Sequence, residues 1–93
     1  MKIKVEYFSV VREAAGTKYD EIDVEEGSTV REVLDRLVSM HKPEFKRALF
    51  DGDELKHFLQ VIVDGKNVRS RKGLSTVLTK PSTILIFPPF GGG

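Results

Sequence analysis

Cysteine is absent from this chain. That removes disulfides, thiolate metal ligands, thioester-forming side chains and persulfide carriage together, so any sulfur chemistry must use another atom. A dominant charge is also missing: 15 Lys and Arg stand against 14 Asp and Glu, a formal net charge of +1. No global field draws nucleic acid or an anionic membrane, so partners have to be recognised by shape and local patches. No apolar run approaches the length of a membrane span, and Met1-Lys2-Ile3-Lys4 enters an alternating pattern without a signal-peptide core, so a cytoplasmic location is expected. No Ser-His-Asp arrangement, Walker loop or zinc spacing is visible, so neither a metal site nor catalysis by this chain alone is expected.

What is present fits one compact domain: 93 residues, 40% hydrophobic and 31% charged, with apolar side chains spread along the chain. Ile3, Val5 and Tyr7 alternate with Lys2, Lys4, Glu6 and Phe8, the period of a half-buried strand that leaves Phe8 on the wet face. Val11 to Ala15 is a short segment stopped by Gly16, and Ile22 and Val24 alternate in a second strand, the two strands forming a hairpin with a wide loop. Thr29 and Glu32 make a capping box. Val30, Val33, Leu34, Leu37, Val38 and His41 then form one apolar helical stripe, with an end expected near Met40 to Lys42 ahead of Pro43.

Phe45, Ala48 and Leu49 suggest another turn or two of helix before the polar break Asp51-Gly52-Asp53, and Leu55 to Leu59 reads ambiguously. Val61 and Val63 lead to the hairpin signal Asp64-Gly65, with Val68 returning in a short fourth strand and Arg69 to Lys72 forming a basic, solvated loop. Thr83 to Phe87 is apolar on both faces, as a central strand would be. The order describes an α+β domain, a mixed sheet of four to five strands with one main helix packed on one face. It suits the β-grasp, or ubiquitin-like, fold over residues 1–87, with the last strand parallel to the first and a flexible tail over 88–93.

The tail is where chemistry is expected. Pro88-Pro89 holds an extended direction without internal hydrogen bonds. Phe90 follows, and Gly91-Gly92-Gly93 offers a strip free of side chains that enters a slot too narrow for any Cβ, delivering a bare carboxylate. A carboxylate becomes an acyl donor once its oxygen is made a leaving group, for example as a mixed anhydride with AMP. The acyl carbon then accepts sulfur or an amine.

Tyr7-Phe8-Ser9-Val10-Val11-Arg12-Glu13-Ala14-Ala15-Gly16, Thr29-Val30-Arg31-Glu32-Val33-Leu34 and, above all, Phe87-Pro88-Pro89-Phe90-Gly91-Gly92-Gly93 resemble the MoaD/ThiS family of ubiquitin-like sulfur carriers over nearly the whole chain. Lys80-Pro81-Ser82-Thr83-Ile84 departs from the acidic turn that relatives often carry before the last strand. The resemblance implies the small subunit of a molybdopterin synthase. An E1-like enzyme would spend ATP to adenylate Gly93, the carboxylate would become a thiocarboxylate, and the tail would enter the large subunit of a heterotetramer to donate sulfur to a pterin precursor of the molybdenum or tungsten cofactor. This chain would bind no cofactor itself.

Strand parity gathers Phe8, Leu85 and Phe87 into an apolar patch on the open sheet, a natural docking surface for partners. Arg12 resembles the family's arginine after the first strand and would touch a partner or steady the tail. His41 reads as boundary packing and not as a ligand. Two other readings stay open: a modifier joined through Gly93 to target lysines, and a non-covalent interaction module with an incidental tail.

Overall fold

The computed structural model describes residues 1–89. The expectations placed on Phe90, Gly91, Gly92 and Gly93 lie outside the described residues.

Strand β1 (Lys2–Tyr7) buries Ile3, Val5 and Tyr7 and leaves the alternate positions at least partly exposed. It leads into helix α1 (Val10–Ala15), which stops at Gly16 with φ +74°, a left-handed geometry that glycine adopts without a Cβ clash. Strand β2 (Tyr19–Asp23) returns antiparallel to β1, setting Asp20 opposite Val5 and Ile22 opposite Ile3.

Helix α2 (Val30–Met40) begins at the expected capping box. The Thr29 hydroxyl accepts from the Glu32 amide at 3.1 Å, and the Glu32 carboxylate accepts from the Thr29 amide at 3.1 Å. Two of the helix's orphan donors are satisfied in this way. We predict that Thr29→Ala lowers stability by about 1 kcal/mol and Thr29→Ser by a few tenths or less, measured by urea unfolding. The stripe Val30, Val33, Leu34 and Leu37 is buried against the sheet.

Helix α3 (Pro43–Leu49) starts with proline in its first turn, where the missing N–H has no partner to lose, and buries Phe45 and Leu49. A two-stranded hairpin of β3 (Phe50–Asp51) and β4 (Glu54–Leu55) follows. Strand β5 (Gln60–Val63) turns at Asp64-Gly65 into the two-residue strand β6 (Lys66–Asn67). Two 3-10 turns, Val68–Ser70 and Gly73–Ser75, carry the chain to β7 (Ser82–Phe87).

The main sheet runs β2-β1-β7-β5-β6. The two-faced apolar strand β7 is central as expected, parallel to β1 and antiparallel to β5. The one main helix expected from the sequence is joined by α3, where a turn or two of helix was expected at Phe45, Ala48 and Leu49, and by α1, which the sequence marked only as a short segment. Segments of six and seven residues are too short to be helical on propensity alone, and α1 and α3 persist by packing against each other and the core. The ambiguous stretch after Leu55 resolves into a turn, Leu59 N–H donating to the Lys56 carbonyl at 3.1 Å, with Leu59 buried.

Candidate functional site

The end of β7 determines where the tail starts. Tyr7 pairs with Ile86 and Gln60 with Phe87, and the Phe8 amide donates to the Ile86 carbonyl at 3.2 Å. Pro88 has no amide proton, so it cannot extend the ladder. Its neighbours turn away at the same level. Ser9 takes φ +56°, uncommon for a residue with a Cβ, and begins α1, while on the other side Lys56-His57-Phe58 folds into its turn. Of the three central strands, only β7 carries the chain onward from this end, with Pro88 half-buried and Pro89 exposed.

Phe8, Leu85 and Phe87 share the sheet face opposite the buried Ile84 and Ile86, and all three are half-buried. Phe8 and Phe87 meet edge to face, ring centroids 6.1 Å apart at 89°. Arg12 joins them: its Nε donates to the Tyr7 carbonyl at 2.9 Å, and its guanidinium sits 5.3 Å from the Phe8 ring centroid. A cation over an aromatic face at this range contributes about 0.5–1 kcal/mol. The structure therefore brings Arg12, Phe8 and Phe87 into one row that ends at the root of the tail. Leu85 lies beside the row, between Glu6 and Ile62 of the flanking strands.

A polar network that the sequence reading missed lies under this row. The Tyr7 side chain is fully buried, and its hydroxyl donates to Asp20 Oδ2 at 2.7 Å; His41 Nε2 meets the same oxygen at 2.6 Å. Burial first, then donation to Asp20 and that carboxylate's charge, hold the Tyr7 phenol far above its ordinary range, so it stays a neutral donor. His41 stacks on Phe45 at 4.5 Å between centroids, so it is packing, as expected, and also a partner for Asp20. The available signal was the inward placement of Tyr7, since a buried tyrosine hydroxyl needs a partner.

Arg69 also departs from the solvated loop expected of it. It donates to the carbonyl of His57, and to that of Leu59 at 3.1 Å, bracing the turn beside the tail's exit. An open groove of about 330 Å³ lies between the β3–β4 hairpin and the 3-10 turns. Arg31 and Arg69 face Asp53 and Glu54 across it, so its charges are balanced within the chain.

Asp64 closes the β5–β6 turn at φ +47° and accepts from the Thr83 amide at 3.0 Å. That bond, with smaller help from Ser82, Lys80 and Arg71 and against a desolvation cost, holds its carboxyl below the usual range. A depressed folded-state value means a contribution present above the unfolded value of about 3.9 and lost as pH falls through the folded one. Asp64→Asn, which tolerates the same backbone geometry, should therefore lower stability at neutral pH and converge with the parent at low pH, seen by comparing urea midpoints across the acid limb.

A five-stranded mixed sheet over one long helix, its central strand parallel to the first and leaving by way of Pro88-Pro89, is a ubiquitin-like β-grasp domain. The ThiS family model matches residues 5–93, and the chain belongs to this family of ubiquitin-like sulfur carriers and modifiers. It is 30% identical over 93 residues to small archaeal modifier protein 3 of Haloferax volcanii, covering 100% of both chains. The solution structure of small archaeal modifier protein 1 from Methanosarcina acetivorans superposes with a TM-score of 0.82 at 34% identity, over 99% of this chain and 96% of that one. A Pyrococcus furiosus structure provisionally described as molybdopterin converting factor, subunit 1, gives a TM-score of 0.71 at 26% identity, over 96% of this chain and 98% of that one.

Proposed function

We propose that this chain is a sulfur carrier acting through the Gly93 carboxylate, as the small subunit of a molybdopterin synthase. The observation that carries the reading is the end of β7, where proline stops the ladder beside the Arg12–Phe8–Phe87 row, in a chain with no thiol of its own. Residues 88–93 are the working tail and residues 1–87 the body that a partner grips.

The chemistry balances. A carboxylate oxygen of Gly93 attacks the α-phosphorus of ATP on an E1-like enzyme, pyrophosphate leaves, and an acyl adenylate forms. A sulfur nucleophile of the sulfide class attacks the acyl carbon, AMP leaves with the bonding pair, and the terminus becomes a thiocarboxylate. In the large subunit the thiocarboxylate sulfur attacks a carbon of the pterin precursor and displaces an oxygen leaving group, giving a thioester to Gly93; water then adds to the acyl carbon, the acyl carbon–sulfur bond breaks, and the sulfur stays on the pterin while the carboxylate is restored. Each tail delivers one sulfur atom and a dithiolene holds two, which fits a heterotetramer with two carriers. ATP belongs to the activating enzyme, and no cofactor binds this chain.

Phe8, Arg12, Leu85 and Phe87 form the docking face in this reading. Phe8→Ala with Phe87→Ala should weaken binding to the large subunit by about tenfold or more, since centrally placed aromatic anchors carry a large share of an interface's energy. Their half-exposed rings leave the fold intact, checked by circular dichroism. Binding at parental affinity would remove the face from the account.

The full-length likeness to a small archaeal modifier protein favours a second reading, in which a lysine amine takes the acyl carbon and an isopeptide bond results. Reconstitution with ATP, an activating enzyme and a sulfide donor separates the two by intact mass, the carrier gaining the difference between sulfur and oxygen. Conjugates carry a recognisable remnant: no Lys or Arg follows Lys80, whose bond to Pro81 resists trypsin, so a modified lysine retains residues 73–93. A search for a short diglycine remnant would miss it.

A further inference from the structure

Phe58 is 42% exposed, although the next residue, Leu59, is fully buried. The turn that presents it is braced on both sides. Lys56 N–H donates to the Leu49 carbonyl at 2.9 Å, Leu59 N–H closes back on the Lys56 carbonyl, and Arg69 donates to the carbonyls of His57 and Leu59. An aromatic side chain held outward on a fixed turn costs less ordering when a partner takes it up. The His57 ring meets Phe58 edge-on at 5.9 Å between centroids, and Lys56 Nζ lies 6.0 Å from the Phe58 centroid.

The position of this turn gives it a use. Gln60 pairs with Phe87, so Phe58 precedes that pair by two residues and Pro89 follows it by two, on neighbouring strands about 4.8 Å apart. On the other flank Tyr7 pairs with Ile86, and the next residue, Phe8, has the Arg12 guanidinium over its ring. The chain therefore leaves β7 between two similar couples, Arg12 with Phe8 and Lys56 with Phe58. Neither cation forms an ion pair among the described residues, and the carboxylates nearest them in sequence, Glu13 and Glu54, pair with neither. Residues 88–93 span at most about 20 Å when extended, so a protein that draws Gly93 to a reacting centre brings the mouth of its slot against this end of the sheet.

We propose that Phe58 and Lys56 form a second contact for the protein that activates Gly93, Phe58 entering an apolar pocket and Lys56 meeting a carboxylate at the mouth of the tail slot. The contact lies across the exit from Phe8 and Arg12, so the root of the tail is gripped on both sides and its entry direction is fixed. The inference rests on the acyl activation of Gly93, the step that the carrier and modifier readings share. Single-stranded nucleic acid also stacks on aromatic rings beside cations, but it offers no reason for the two couples to flank the point where the chain leaves the sheet.

Steady-state pyrophosphate release by the activating enzyme, with the full chain as the varied substrate, tests it. Phe58→Ala should raise KM about fivefold or more, and Lys56→Glu about tenfold or more, because the second sets a like charge against the partner's carboxylate. For both, kcat should stay within about twofold of the parent, the split expected of a contact made equally before and during the reaction. Raising salt from about 0.05 to 0.5 M should raise the parental KM and lower that of Lys56→Glu. Lys66→Glu, the same charge change opposite Val63 and three residues back from Gln60, should keep the parental KM, and all three variants should keep the parental urea midpoint. A parent that releases no pyrophosphate would remove acyl activation and this inference with it. Release by the parent, with Phe58→Ala and Lys56→Glu at the parental KM, would overturn this inference alone. An equal rise in Lys66→Glu would do the same, as would a single-stranded oligonucleotide that needs Phe58 to bind while activation does not.

Discussion

Deleting Gly92 and Gly93 should reduce activation of this chain by at least about 100-fold, without altering its unfolding curve. Each extended residue spans about 3.3 Å, so the deletion draws the terminal carboxylate back by about 7 Å. A misplacement of about 1 Å at a reacting centre already costs about 100-fold. The described residues 1–89 all remain in the shortened chain, so circular dichroism and urea midpoints should match the parent. One alanine added after Gly93 should give a loss of the same kind, because it moves the carboxylate outward and places a Cβ where the tail has none. The readout is ATP-dependent pyrophosphate release with the activating enzyme. Parental rates in the truncated chain would leave the proposed tail chemistry without support.

The second large effect concerns the body that presents the tail. Phe45→Ala should destabilise the domain by about 3–5 kcal/mol, the range for emptying a buried aromatic site. Phe45 is fully buried on α3, meets Tyr7 edge to face at 5.3 Å and stacks against His41 at 4.5 Å. Its loss also loosens the support under Asp20, whose carboxylate takes both the Tyr7 hydroxyl and the His41 ring. Domains of this size have about 5–15 kcal/mol in total, so the variant should be partly unfolded at modest denaturant. Tyr7→Phe, which removes only a hydroxyl bonded to a charged acceptor, should cost about 1.5–3 kcal/mol. Chemical denaturation of both variants checks the order; a Phe45→Ala variant within experimental error of the parent would mean that α3 is not part of the core.

The fold was legible wherever a periodic pattern had a neighbouring stop signal. Ile3, Val5 and Tyr7 announced a strand by alternation, Thr29 and Glu32 announced the start of α2 by their spacing, Asp64-Gly65 announced a hairpin, and the double-faced run to Phe87 announced a central strand. In each case the physical cause is local, and a window of a few residues contains it. Helix α1 was hidden, and α3 was legible only as a turn or two at Phe45, Ala48 and Leu49, because their stability comes from each other and from the core, which no short window contains.

The candidate site divides along the same line. Phe8, Leu85 and Phe87 could be placed on one face from strand parity alone, and the edge-to-face contact of the two phenylalanines follows from β1 and β7 being neighbours. The Tyr7–Asp20–His41 cluster joins positions 13 and 21 residues apart through polar contacts that leave no periodic trace. Ser9 gave no warning of its positive φ, and Arg69 looked like any other loop cation until its carbonyl partners were visible.

The most direct test is the intact mass of this chain purified from its native cell, with fragmentation of its C-terminal peptide to locate any change. A sulfur-for-oxygen exchange confined to Gly93 in part of the population is the expected result. An unaltered carboxylate in every molecule, with no lysine anywhere in the proteome carrying the 73–93 remnant, would contradict an acyl terminus as the reacting group.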